Sequence, residues 1–185
     1  MEPQQAVEFV QSLAREYRQR DVDLVLQRSE HLALRIFKGR VEKLDQATGQ
    51  GLGIRVVDEG RTGIAYTERL DPKALEKAFL AAKENSTLLD PTEVELPSPP
   101  DDVPDPAALK LYNPDLESIG VADLEALGLE IEARALKADR RVTSVSRLSV
   151  FRAVSEHRVV SMHGVDYAQR SNSVGAMCQA LLEDG

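Results

Sequence analysis

Residues 90–116 read DPTEVELPSPPDDVPDPAALKLYNPDL and hold seven of the chain's nine prolines. Each proline fixes φ and removes a backbone donor, so neither a helix nor a central strand is expected there. Asp101, Asp102 and Asp105 would keep such a segment hydrated. The expectation is an extended, surface-running linker over 90–116 that divides 1–89 from 117–185. With 185 residues in all, the chain then makes two small units rather than one large core.

Both halves read as a helix followed by strands. In the first, Ala6, Val10, Leu13 and Tyr17 recur at helical spacing, and Pro3 stands where a helix can start. The period then changes to two. VDLVLQRS (22–29) and HLALRIF (31–37) read as strands, Lys38-Gly39 as a turn, and RVEKLDQATG as a strand running into a loop at Gly49. GLGIRVV and TGIAYT follow as strands. Over 71–85 the period is helical again, with Asp71 as N-cap, Pro72 in the first turn, and Leu75, Ala78, Phe79 and Ala82 on one face.

In the second half, residues 121–138 read as a helix with Leu124, Leu127, Ile131 and Ala135 aligned. Three alternating segments follow, VTSVSRLSVFRAVS, HRVVSMHG and DYAQRSNSVGAMCQALLEDG. The predicted fold class is α+β, as two small units of helix plus mostly antiparallel sheet. Asp184-Gly185 is hairpin-turn chemistry with no returning strand behind it. The expectation is that 117–185 begins a larger central domain; the alternative is a natural end on an edge strand.

The stretch GQGLGIRVVDEGRTGIAY raises the question of phosphate binding. A dinucleotide loop needs a third glycine opening a helix, but Gly51-Leu52-Gly53 runs into Ile54-Arg55-Val56, a strand former. No Gly-Lys-Ser/Thr is present either. Asp58-Glu59-Gly60 is instead a hairpin turn with Gly60 at positive φ. Gly51, Gly53 and Gly63 mark bulges or close backbone approaches within strands.

The remaining candidates for chemistry are sparse. His157 and His163 on one strand would lie roughly 20 Å apart, too far for a shared metal, and His31 stands alone. There is no His-Glu-x-x-His and no Cys-x-x-Cys, so no metal, cofactor or catalytic residue is assigned within this chain. Cys178 in GAMCQALL reads as a buried structural thiol. Ser144, Ser146, Ser149, Ser171 and Ser173 lie in no nucleophile elbow. The pairs Asp58-Glu59 and Asp101-Asp102 read as solvated turn acids.

Composition narrows the partners. The chain carries 23 basic and 31 acidic side chains, a formal charge of -8, which disfavours direct binding to nucleic acid. One cysteine rules out an internal disulfide framework and fits a reducing compartment. The N-terminus lacks a signal-peptide pattern, and no apolar run reaches the roughly 20 residues of a membrane span. A soluble cytoplasmic protein without a membrane partner is expected.

KGRVEKLDQATGQGLGIRVVDEGRTGIAYTERLDPKALEKA resembles the N-terminal domain of the TldD/PmbA (TldE) family. The resemblance rests on Gly39 with Glu42, Gly51-Leu-Gly-Ile-Arg55, Gly60, Gly63, and Ala65-Tyr-Thr67 leading to Leu70. ALKADRRVTSVSRLSVFRAVSEHRVVSMHG resembles the same family's central domain, closer to the PmbA side. The resemblance implies a cytoplasmic zinc metallopeptidase system, described also as a modulator of DNA gyrase, whose subunits pair around a cavity and degrade unfolded peptides. It implies zinc held in the TldD-type subunit by a His-Glu-x-x-x-His helix and a downstream Cys, neither of which matches any position here. The implied role is non-catalytic: dimerisation, as a homodimer or with a TldD-type subunit, shaping of the chamber, or holding a peptide along a sheet edge. The alternative is a regulatory binding module of the gyrase-modulator or toxin–antitoxin type, without proteolysis. A weaker third reading is an unrelated small ligand-binding domain.

Overall fold

The computed structural model describes residues 1–94, 96–99 and 105–183. Among these residues, three α-helices accompany a five-stranded antiparallel sheet. Helix α1 spans Pro3–Glu16, strand β1 Asp21–Phe37, β2 Arg40–Asp58, β3 Arg61–Thr67, and helix α2 Pro72–Ser86. After the proline-rich stretch come α3 at Val121–Ala138, β4 at Val142–Ser161 and β5 at Asp166–Leu182. The strand order is β3-β2-β1-β4-β5. The fold class is the expected α+β.

The strands are longer and fewer than their patterning predicts. The segments 22–29 and 31–37 form one strand of 17 residues, and the expected loop at Gly49 is the middle of a strand of 19. The two segments after α3 likewise merge into one 20-residue strand. The reason lies in two separate cores. Val22, Leu24 and Leu26 of β1 are buried in one, and Leu32, Leu34 and Ile36 in the other. Between them Gln27, Arg28, Glu30 and His31 are exposed, so the strand looks interrupted in sequence while its backbone stays paired on both sides.

Contacts divide the chain into two compact units. Unit 1 comprises Met1–Arg28, Gly49–Ala108 and Glu156–Gln169; unit 2 comprises Ser29–Thr48, Leu109–Ser155 and Arg170–Gly185. The long strands therefore contribute one stretch to each unit, and the units are not the sequence halves on either side of the prolines.

Unit 1 packs α1 and α2 with strand residues around Phe79, Leu75, Val10, Leu24, Leu52 and Ile54. Asp71 caps α2 as expected, its carboxylate accepting the Ala74 N–H at 3.0 Å. The glycine stretch is a hairpin, paired from Asp58↔Arg61 to Leu52↔Thr67. Its turn holds Glu59 at φ 49° and Gly60 at φ 76°, the mirror-image geometry that matches strand twist. A Cβ on Gly63 would fall 1.9 Å from the Ala82 carbonyl oxygen, so only glycine lets α2 seat against β3. Arg55 has a structural role: its Nε donates at 2.7 Å to the carboxylate of Asp23, which is buried on β1.

The proline-rich segment is tied down where it is described. Thr92 donates its N–H to the Gly60 carbonyl at 2.8 Å, and the Ser161 hydroxyl donates to the Pro97 carbonyl at 3.3 Å. Pro106–Leu109 and Pro114–Ser118 form 3₁₀ turns, which the expectation of a purely extended linker did not include. Asp101 and Asp102 lie outside the described residues, as does the Asp184-Gly185 turn.

Unit 2 is built on α3, whose bounds match the sequence expectation. Leu124 packs among Leu32, Leu34, Ile36, Leu148 and Val150. The buried carboxylate of Glu132 accepts the N–H of Lys38 at 2.8 Å and of Gly39 at 2.7 Å. It thereby satisfies the β1–β2 turn, whose two residues both lie at positive φ.

Candidate functional site

The residues weighed for chemistry stay apart. His31 lies on β1 with its ring 6.1 Å from that of Phe151. His157 is on β4, and His163 sits in the turn after it with Nε2 2.8 Å from Asp21 Oδ1. Among the described residues, no three His, Cys, Asp or Glu side chains gather as a metal site. Cys178 is exposed, not buried. Residues 176–182 of β5 are exposed on both faces, so the apolar run there does not report burial and the expected buried thiol is corrected to an exposed one. The five serines lie on β4 and β5, where the Ser146 hydroxyl donates to the Gln179 carbonyl at 3.2 Å.

The structure offers instead a groove in unit 1, between β3 and α2. Strand β3 is an edge of the sheet. Ile64 and Tyr66 are 61% and 78% exposed, while Gly63 on the other face is buried under α2. In a two-residue hairpin the bonded pairs alternate from the turn, so Arg61, Gly63, Ala65 and Thr67 bond β2. Thr62, Ile64 and Tyr66 then direct their N–H and C=O groups outward. The Asn85 amide donates to the Ile64 carbonyl at 2.9 Å, which shows that α2 covers the edge there.

Toward Tyr66 the helix and strand line a cavity of about 520 Å³. Ala65, Tyr66 and Thr67 line its strand side. Lys73, Ala74, Lys77, Ala78 and Ala81 line its helix side, and Arg69 and Asp71 stand at the connection between them. Asp71 is occupied by its own neighbours. The Ala74 N–H, and with it the Arg69 guanidinium at 3.0 Å, hold its carboxyl below the ordinary range. Lys73 and Lys77 make no ion pair among the described residues, and the start of α2 adds its positive end. The groove is therefore cationic, with a floor of alanine methyls. Backbone groups, ammonium groups and methyls are the means of binding an extended chain. The signal for it in the sequence was the alternation of small and large residues in TGIAYT, followed by lysines four apart.

A family model described as PmbA/TldA metallopeptidase domain 1 matches residues 22–86, and one described as the PmbA/TldA metallopeptidase central domain matches 114–185. Among solved structures, a candidate modulator of DNA gyrase from Thermotoga maritima is similar over 98% of this chain at 19% identity and TM-score 0.79. TldE from Thermococcus kodakarensis is similar over 96% at 21% identity and TM-score 0.72. A candidate modulator of DNA gyrase from Bacteroides thetaiotaomicron is similar over 97% at 20% identity and TM-score 0.78. The chain spans 40% of the length of each of these three. No curated protein matches the sequence.

Proposed function

We propose, from the premise that this chain belongs to the PmbA/TldD metallopeptidase family, that it serves a peptide-degrading assembly as a non-catalytic part that holds extended peptide. The observation that carries this reading is the groove beside the outward-facing backbone of Tyr66 on edge strand β3. A peptide laid there would add a strand, its main chain supplying affinity and the groove selecting side chains. The division of the chain into 1–89, 90–116 and 117–185 is part of the same proposal; it follows chain order and not the contact units, and its first segment carries the peptide edge.

The residues present do not fit a zinc site, since no ligand set gathers among those described. Zinc and the hydrolytic step are assigned to residues outside 1–185, either further along the same polypeptide or in a TldD-type partner subunit, and the assembly to the cytoplasm. The solved structures described as candidate gyrase modulators favour a second reading, a regulatory module that binds a protein partner without proteolysis.

The test mixes the purified chain with a TldD-type subunit and follows association by size and cleavage of an unfolded peptide. The expected result is a complex whose cleavage is faster than that of the subunit alone, with the chain by itself inert and free of tightly held zinc. About one zinc per isolated chain by elemental analysis, in a four-ligand site, would overturn the non-catalytic assignment. Association with no change in cleavage would favour the regulatory reading.

A further inference from the structure

We infer that the β3–α2 groove selects acidic peptides, taking an extended segment with carboxylate side chains at alternate positions onto Lys73 and Lys77. The inference rests on the peptide-holding reading above and adds the chemical class of the peptide.

The spacing supports it. Lys73 and Lys77 are four residues apart on α2, which sets them about 6 Å apart along the helix axis. Side chains on one face of an extended strand recur every two residues, about 6.6 Å apart. A strand running beside β3 can therefore present successive same-face carboxylates to the two ammonium groups with little adjustment. The alanines at 74, 78 and 81 leave room for the peptide between helix and edge.

Charge supports it as well. The chain as a whole is acidic, at -8, yet the groove lining carries Arg69, Lys73 and Lys77 against the single carboxylate of Asp71. That carboxylate is bound to the Ala74 N–H and to Arg69, so it does not neutralise the lysines. The surrounding negative surface would repel an acidic peptide from most approaches, which concentrates its attraction here.

The test measures binding of three short labelled peptides to the intact chain by fluorescence anisotropy. They share one apolar pattern and carry Glu, Gln or Lys at alternate positions. At low salt the Glu peptide should bind roughly tenfold more tightly than the Gln peptide, as two exposed ion pairs allow. The ratio should shrink as salt is raised. The double variant Lys73→Gln/Lys77→Gln, checked for native circular dichroism, should bring the ratio of Glu-peptide to Gln-peptide affinity to about one. Equal binding of all three peptides would overturn the acidic preference and leave the peptide-holding reading standing. A Glu preference untouched by the double variant would remove it from this groove. Failure of every peptide to bind would refute the peptide-holding reading itself, and this inference with it.

Discussion

Unit 1 and unit 2 solve the same problem with different resources. Unit 1 covers its strands with two helices, and Phe79, fully buried, anchors a core drawn from α1, α2, β1 and β2. Among the described residues unit 2 has one α-helix, α3, and its buried cluster contains no aromatic side chain. The consequence is visible on its strands. Residues 42–48 of β2 and 176–182 of β5 are exposed, including Leu44, Met177, Leu181 and Leu182. Burial of apolar area is the main source of folding free energy, so the unit with less of it should open first. Native-state hydrogen exchange is expected to show higher protection for β1–β3 amides in unit 1 than for β4–β5 amides in unit 2.

The strongest way to break that order is Gly63→Val. The new side chain would collide with the Ala82 carbonyl and the Ser86 N–H of α2, both backbone groups that cannot rotate away. Overpacking against backbone should cost about 3 kcal/mol or more and make unit 1 the first to exchange. Retention of wild-type protection in α2 would show that helix and strand are not held by this contact.

Arg55→Leu should narrow the gap without inverting it. It leaves the Asp23 carboxylate buried on β1 without its guanidinium, a loss of about 3 kcal/mol for a fully buried pair and less here, because Arg55 is partly exposed. A shift in urea midpoint at unchanged slope is the expected readout.

In unit 2 the corresponding change is Glu132→Gln. One of the two oxygens that accept turn N–H groups becomes an NH₂, a donor facing a donor. About 2 kcal/mol should be lost, and exchange at Lys38 and Gly39 should rise first, widening the difference between the units.

The smallest effect is expected from Asp71→Ala, which removes the cap of α2. Because the Asp71 carboxyl is held below its ordinary value, its contribution is present above the unfolded value near 3.9 and is lost as pH falls through the lowered one. The melting temperatures of wild type and variant should therefore differ at neutral pH and converge in acid. A constant difference down to the acid limit would mean that the carboxylate charge has no part in capping.

These contrasts also mark what could be read from the residues. The α3 limits, the Asp71 cap and both two-residue turns were legible, because each rests on local chemistry. So was the hairpin nature of the glycine stretch, since Ile54 to Val57 could not begin a helix after Gly53. The continuity of β1, β2 and β4 was not legible. Strand pairing comes from neighbours distant in sequence and leaves no mark on polar residues such as Arg28 or Gln50. Of the groove, the alternation in TGIAYT and the lysine spacing were on view, but not that they meet across one cavity. Tyr66 and Lys73 look like ordinary surface residues until they are seen to line one cavity. Nothing in the residues around Glu132 marks it for burial, and only the turn it meets explains it.

The Glu132 clamp carries a kinetic consequence. The β1–β2 hairpin closes over its own two-residue turn, an event of about 1–10 μs. The carboxylate that satisfies that turn stands 94 residues further along the chain. Loop closure across such a span is entropically costly, so the hairpin can pair before its turn is pinned, and α3 seals it late. The loss in Glu132→Gln should then appear mainly as faster unfolding, with the refolding arm of the chevron little changed. A slowed refolding arm would instead place α3 docking inside the folding nucleus.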